Sequence, residues 1–357
     1  MSTVTGSDPG APCAVVLAVG ALVGPDPVAE LAGRLPGVDV CWAPYTETVE
    51  QRAERRRRSR AGEPHEPTHL DDAVAAALQR ADAVLAFDVP WDLPAHAPRL
   101  RLLQAVGAGV EQYDHPGLAA AGVALCNAAG VAAPSMAEFV IGRLLEVCTD
   151  TRRVEELQRQ QRWRRHDTGE LAGSTVAIIG LGAIGRATAQ RLRGWEVTLL
   201  GVRRHVEAGA IDPDVDEVFG LDRLDEVLGR ADAVVLTVPA TRRTNGWFGA
   251  ERFAAMKPGA VFCNVSRGSM VVEAALLEAL RGGHLRAAIL DVTRTEPLPP
   301  GDPLWGEPNV YLSPHSSTST VRYPQRLLPL FADNVARLVD GRPLRNRIDP
   351  ELGHRVE

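Results

Sequence analysis

Gly180, Gly182 and Gly185 follow an apolar run, Val176–Ile179, and open a helix-like stretch that leads to a second apolar run at 197–202. A strand that turns through glycines at this spacing into a helix is suited to hold the pyrophosphate of a dinucleotide. Gly180 permits the tight turn, Gly182 lets the backbone approach the phosphates, and Gly185 lets helix and strand pack closely. The first helical amides, around Ala183 and Ile184, then face the anion at the positive end of the helix dipole. A glycine-rich turn with no ligand is the plainer alternative. The second run ends in Arg203-Arg204, about 20 residues beyond the glycines, where an NAD site carries Asp or Glu for the ribose hydroxyls. A carboxylate there would repel a 2′-phosphate, whereas two guanidiniums attract one and can grip it as a fork. The expected cofactor is NADP(H), with NAD(H) as the second choice. Two solvated arginines at a strand end are the alternative.

Three later segments carry reactive side chains: Asn264-Val265-Ser266-Arg267-Gly268, Asp291 through Leu298, and Ser313-Pro314-His315-Ser316. Each follows an apolar strand. In a doubly wound sheet the carboxyl ends of the strands face one crevice, so Arg267, Glu296 and His315 are expected to converge despite their spacing. Taken singly, His315 reads as structural and Glu296 as a loop carboxylate. Asp291, grouped with the cofactor-binding residues, either orients the loop beneath Glu296 or caps a turn. Asn264 is expected to fix backbone near Arg267. Trp305 walls a pocket or packs in the core. Val238 and Pro239, after Thr237, lie against the cofactor, although a strand end needs no function.

The elements that must position these groups alternate strand and helix nearly throughout, the pattern of parallel sheets covered by helices. Strands are expected near 14–18, 38–42, 83–87, 102–105 and 123–126 in the first part. In the second they are expected near 176–179, 197–202, 233–238, 260–265, 287–290 and 310–313. Pro134 opens a long helix expected to reach about Arg152. The fold class is α/β with two doubly wound parallel-sheet domains. Residues 1–126 and 317–357 form a discontinuous substrate domain, and residues 127–316 a Rossmann-type nucleotide domain. Two hinges between them imply closure on substrate.

The 357 residues are 45% hydrophobic and 24% charged, which suits two ordinary globular domains. No apolar run is long enough for a membrane span, and Met1–Pro12 reads as a disordered lead-in without a secretory signal. A net charge of −6 argues against nucleic-acid binding. Five scattered cysteines without metal or redox spacing read as buried free thiols in a reducing cytoplasm. The basic residues include a single lysine, Lys257, which disfavours lysine Schiff-base chemistry. Two arginine-rich stretches stand apart. Arg52–Arg60 reads as an exposed loop or helix end, or else as a surface for a partner or anion. Arg152–His166 borders the cleft and attracts an anion, or is a solvated interdomain segment.

Gly-Leu-Gly-Ala-Ile-Gly (180–185), Asn-Val-Ser-Arg-Gly (264–268), Glu-Pro-Leu (296–298), Pro-Leu-Trp (303–305) and Ser-Pro-His (313–315), in this order, resemble the D-2-hydroxyacid dehydrogenase family over about Leu100–Arg342. Val-Arg-Arg-His (202–205) is similar to its NADP-using glyoxylate/hydroxypyruvate reductases, and Val-Gly-Ala-Gly-Val (106–110) to its substrate-carboxylate loop. The resemblance implies a flavodoxin-like substrate domain and a homodimer acting on a small anionic 2-oxo or 2-hydroxy acid. It implies His315 as general acid/base held by Glu296, Arg267 on the substrate carboxylate, and backbone N–H groups of Ala108, Gly109 and Val110 on the same carboxylate. Hydride from NADPH would reach the 2-carbon while His315 protonates the oxygen. The chain departs from the family at Val271-Val272-Glu273, where Val-Asp-Glu is usual, which puts a helix cap in doubt. It also departs at Ser316–Ser319, a hydroxyl-rich loop suited to a more polar substrate. A phosphite-type dehydrogenase and a nucleotide-sensing, corepressor-like binding protein are the rival functions.

Overall fold

Short apolar strands covered by helices on both faces pair in parallel throughout the chain. The computed structural model describes residues 11–17, 27–61, 63, 65, 67–110, 112–207, 209–241 and 243–349. The expected lead-in lies outside the described residues up to Gly10. Backbone contacts divide the chain after Val131 and after Ser319, giving a first unit of the two outer segments and a second unit from Ala132 to Ser319. The sequence placed these divisions at 126/127 and 316/317.

Unit one contains β1 (Cys13–Val16), α1 (Pro27–Arg34), β2 (Asp39–Trp42), α2 (Val49–Ala61), α3 (Asp72–Arg80), β3 (Ala83–Ala86), α4 (Leu93–His96), β4 (Leu102–Ala105), α5 (His115–Ala120) and β5 (Ala124–Cys126). Its five strands run parallel in the order β2-β1-β3-β4-β5. Val15, Val84, Leu103 and Leu125 pack from this sheet with Val74 and Leu78 of α3. Asp71 caps α3 by accepting Val74 N.

The arginine run at 52–60 is neither a loop nor wholly solvated: it is the body of α2. Arg55 is 7% exposed and donates to Glu47 at 2.8 Å and to the Val89 carbonyl at 3.0 Å. Arg52 holds the buried Asp88 with two hydrogen bonds, at 2.9 and 2.6 Å. Two of these partners, Asp88 and the Val89 carbonyl, lie 36 and 34 residues from the arginines they hold, so a local charge pattern reads only as a solvated face.

Unit two contains α6 (Ala133–Cys148), α7 (Thr151–Arg159), β6 (Thr175–Ile179), α8 (Ala183–Leu192), β7 (Thr198–Arg203), β8 (Glu217–Gly220), α9 (Leu224–Arg230), β9 (Ala233–Leu236), α10 (Ala250–Ala255), β10 (Ala260–Asn264), α11 (Glu273–Arg281), β11 (Leu285–Leu290), α12 (Pro303–Gly306) and β12 (Val310–Leu312). The helix α13 (Tyr323–Val339) then returns to unit one. Seven parallel strands follow the order β12-β11-β10-β9-β6-β7-β8. The chain winds outward from β6 to β8, then crosses back beside β6 at β9. That reversal is the switch point at which open α/β sheets bind ligands, beyond the strands' carboxyl ends.

The long helix expected from Pro134 to about Arg152 is two helices. Thr149 Oγ1 bonds back to the Leu145 carbonyl and Asp150 takes a left-handed conformation (φ 50°), so Thr151 starts α7 afresh. A threonine hydroxyl that bonds back four residues competes for the last helical carbonyls. Arg152, in the second arginine stretch, stacks 3.5 Å over the Tyr311 ring and donates to the Val310 carbonyl. It is thus built into unit two, whereas Trp163 further along is fully exposed. The strand β8 escaped the sequence reading because its four residues include Glu217 and Gly220 and show little alternation.

Among the described residues, no helix is long and apolar enough to cross a membrane, and no cluster of His, Cys, Asp and Glu could hold a metal ion. All five cysteines are free, with Cys13, Cys126 and Cys263 buried.

Candidate functional site

The glycine turn is fixed by steric need at two positions and open at the third. Gly180 has φ +104°, and a Cβ there would lie 2.7 Å from Val238 Cγ1. A Cβ on Gly185 would lie 2.0 Å from the Gly180 carbonyl oxygen, so only glycine lets α8 approach the end of β6 this closely. Thr237 Oγ1 donates to the Gly180 carbonyl at 2.6 Å and holds the turn. At Gly182, by contrast, a Cβ would meet nothing within 4 Å. Gly182 is the N-cap of α8, and it and Ala183 are exposed, with Ile184 half-buried. An open, side-chain-free backbone at a helix N-terminus fits a pyrophosphate. Val238 packs against the turn and Pro239 is exposed at the same strand end. Arg203 is the last residue of β7, half-buried, and Arg204 follows it exposed.

The three loops after β10, β11 and β12 meet through backbone as well as side chains. Gly268 fits so tightly against Thr293 that a Cβ would lie 1.9 Å from its carbonyl carbon. This brings the Arg267 loop against the Glu296 loop. Asn264 Nδ2 donates to the Arg267 carbonyl and its Oδ1 accepts Ser266 N, the backbone role expected of it. Glu296 Oε1 accepts Thr293 N at 3.1 Å, and Oε2 lies 2.8 Å from His315 Nδ1. Glu273, the first residue of α11, accepts Arg294 N at 2.6 Å. Val272 at its N-cap gives no side-chain cap.

Asp291 is 1% exposed and supports the His315 loop. Its Oδ1 accepts from Ser313 Oγ (2.7 Å), Ser316 N (3.0 Å) and Ser317 N (3.1 Å), and its Oδ2 from Ser317 Oγ. His315 N donates to the Asp291 carbonyl at 2.8 Å, and His315 sits at φ 52°, a region non-glycine residues seldom adopt. The loop-orienting role expected of Asp291 is what its carboxylate performs, enclosed and engaged by four donors of this loop; its grouping with the cofactor-binding residues is a separate expectation. The polar reading of Ser316–Ser319 changes too, since the Ser316 hydroxyl pairs with Ser313 and that of Ser317 with Asp291. Ser313, Ser316 and Ser317 flank His315 in the sequence, but nothing local marks them as partners of a carboxylate 22, 25 and 26 residues earlier.

The charge pattern favours an ionised pair. The hydrogen bond that His315 donates to Glu296 raises the His315 pKa above its ordinary value, with burial and the Arg267 charge opposing. Burial would raise Glu296, but the His315 hydrogen bond, its charge and that of Arg267 hold it below the usual range. Arg267 is thus close enough to act on both partners, and one of its guanidinium nitrogens donates to the Ser266 carbonyl. Because Nδ1 is engaged, Nε2 is the ring atom left for a substrate. The raised histidine contributes stability below its unfolded pKa and loses it as pH rises through the folded value. The depressed glutamate contributes above its unfolded pKa and loses it as pH falls through the folded one. The pair therefore holds best between the ordinary glutamate range and the raised histidine. Replacing Glu296 with Gln should move the basic limb of any pH–rate profile that depends on protonated His315 to lower pH. An unmoved limb in the steady-state profile would show that Glu296 does not set the histidine.

Trp305 is 58% exposed, with Nε1 donating to the Pro299 carbonyl, so it is not core. Ala108, Gly109 and Val110 follow β4 in unit one. The carbonyls of Gly107, Ala108 and Val110 accept from Ala128 N, Asn127 Nδ2 and Tyr113 N, which fixes the loop.

Residues 141–317 match the family model described as D-isomer specific 2-hydroxyacid dehydrogenase, NAD binding domain. A glyoxylate reductase of Thermofilum pendens is 34% identical over 256 residues, covering 69% of this chain and 74% of that protein. A D-3-phosphoglycerate dehydrogenase of Mycobacterium tuberculosis is 33% identical, covering 76% of this chain, which spans about half (51%) of that longer relative. Among solved structures, an NADPH-dependent glyoxylate/hydroxypyruvate reductase from Sinorhizobium meliloti, in complex with NADP and sulfate, is 29% identical. It superposes with a TM-score of 0.73 over 96% of this chain and 100% of that one.

Proposed function

This chain belongs to the D-isomer specific 2-hydroxyacid dehydrogenase family, and from that premise we propose that it reduces a small 2-oxo acid to the D-2-hydroxy acid using NADPH. The observation that carries the reading is the 2.8 Å contact of His315 with Glu296 in a loop cluster that also holds Arg267. Family members are NAD(P)-dependent dehydrogenases and reductases, so an oxidoreductase is the frame. A nicotinamide dinucleotide bound on the turn Gly180–Gly185 supplies the hydride.

Reduction of a 2-oxo acid develops negative charge on the ketone oxygen, beside a carboxylate already charged. Arg267 binds that carboxylate and stabilises the charge as it grows. His315, kept protonated by Glu296, donates from Nε2 to the oxygen, while Nδ1–H stays on the carboxylate of Glu296. The Asp291-bound loop keeps the ring from rotating away. Ala108, Gly109 and Val110 are proposed, on the resemblance alone, as backbone donors to the substrate carboxylate, and Trp305 as a pocket wall. A homodimer and a cytoplasmic location belong to the same proposal.

Glyoxylate and hydroxypyruvate are the first substrates to test, with pyruvate, a phosphorylated hydroxy acid and a phosphono acid beside them. Turnover of one acid with NADPH would support the reading. Tight NADPH binding with no turnover on any acid would favour a sensing protein instead. Phosphite oxidation in the same assay would favour the other rival.

The preference for NADPH rests on Arg203 and Arg204 at the end of β7, where an NAD site carries an acid. Each charge-assisted contact to a 2′-phosphate contributes about 1.5–3 kcal/mol. Replacing both arginines with Ala should therefore raise the Kd for NADPH by at least about a hundredfold and that for NADH only slightly. Equal losses for the two cofactors, measured by titration, would sink the preference.

A further inference from the structure

The loop between β7 and β8 folds back onto α8 through one buried carboxylate. Asp212, with a side chain 2% exposed, accepts both terminal nitrogens of Arg186, each at 3.1 Å, and the Asp214 amide at 3.0 Å. Asp214 accepts Arg186 Nη1 at 2.5 Å and Gln190 Nε2 at 3.0 Å. Arg186 and Gln190 stand one turn apart on the helix that Gly182 caps, so the loop is fastened to the side of the dinucleotide turn. Burial would raise the Asp212 carboxyl, but Arg186, the Asp214 amide and the Arg203 charge hold it below the ordinary range, so it is ionised.

Arg203 meets this carboxylate differently. Its Nη2 lies 3.6 Å from Asp212 Oδ2, an ion pair longer than a hydrogen bond. Its Nε is buried and has no hydrogen-bond partner. The side chain as a whole is 36% exposed, so an anion reaching the end of β7 would meet the outer part of the guanidinium and not Nε. Asp212 already accepts three hydrogen bonds, so it locates the Arg203 guanidinium by charge without taking up its donors.

We propose that Asp212 is a positioning residue for recognition of the cofactor's 2′-phosphate, holding the partly exposed guanidinium of Arg203 at the carboxyl end of β7 through their 3.6 Å ion pair. The proposal rests on the NADPH reading above. Two effects of Asp212 oppose each other. Its charge offsets that of Arg203, and its contact fixes a long side chain that would otherwise have to be ordered on binding. Arg186 lies closer to Asp212 than Arg203 does but is shared with Asp214, so it offsets only part of that charge; the hold on the guanidinium is taken as the larger effect. The sign of the mutational change separates the two.

The test is direct binding of NADPH and of NADH to the full chain, by titration, for the parent, Asp212→Asn, Arg203→Ala and the double variant. Asp212→Asn should weaken NADPH about five- to tenfold, 1.4 kcal/mol being one factor of ten, and change NADH less than twofold. In the Arg203→Ala background the same substitution should have no further effect on NADPH. Tighter NADPH binding would mean that Asp212 is only an opposing charge. Equal loss for both cofactors would mean that it only holds the loop, and a loss persisting without Arg203 would break the link between the two. Each of these overturns the proposal. If Arg203→Ala itself leaves the NADPH:NADH ratio unchanged, the NADPH reading fails first. If that ratio falls and Asp212→Asn does not alter it, the positioning role alone fails. Should Asp212→Asn not fold, the ratio is read on Asp212→Glu, which keeps the charge but displaces the contact. A reduced NADPH preference then supports the proposal, and a parental ratio overturns it.

Discussion

Replacing His315 with Gln is expected to lower kcat for 2-oxo acid reduction by about 10²–10⁴-fold, the range that a positioned general acid contributes. Glutamine can still bond to Glu296 and occupy much of the same space, but it has no proton to give at neutral pH. The loop should survive, because it is held by Asp291 through the backbone and the serine hydroxyls rather than by the ring. Cofactor Kd should therefore change little, and the loss should fall on kcat more than on KM. Rates within threefold of the parent on the best substrate would remove His315 from the chemistry. A parallel collapse of NADPH binding would instead show that the substitution disturbs the fold of unit two.

The second large effect is expected at Asp291. Truncation to Ala leaves four donors of the His315 loop without their acceptor, in a site where the carboxylate is 1% exposed. Leaving a buried polar group unpaired costs about 1–3 kcal/mol. Some donors will find water, so a loss on the order of 3 kcal/mol in unfolding free energy is expected, readable in a denaturant titration. Activity should fall with it, because His315 would lose the support that holds its left-handed backbone and so its register with Glu296. The cofactor Kd should be nearly parental. A variant that unfolds normally but loses NADPH affinity would place Asp291 at the cofactor site and refute the supporting role.

The glycines, the arginines after β7 and the order of the motif segments were legible in the chain because each depends on local geometry. A tight turn, a strand end or a helix start is specified within a few residues. Most strands were legible for the same reason, since apolar runs bounded by turns leave little alternative. The charge-rich helix α2 was not. Its periodicity is weak, and the Asp88 and Glu47 carboxylates that hold it belong to other segments. The break at Asp150 was also missed, because helix-forming residues stand on both sides of a single left-handed position.

By itself the sequence determined the α/β class, the dinucleotide turn and the three residue types that the chemistry requires, because strand and helix periodicity and glycine geometry are short-range properties. Tertiary structure alone decided that Glu296 lies 2.8 Å from His315, that Asp291 turns inward to the serines, and that Asp212 engages Arg186 and lies 3.6 Å from Arg203. Those choices depend on which carboxylate meets which donor after distant loops converge at the ends of one parallel sheet, and hydrogen-bond partnership over such separations leaves no local periodic trace in the chain.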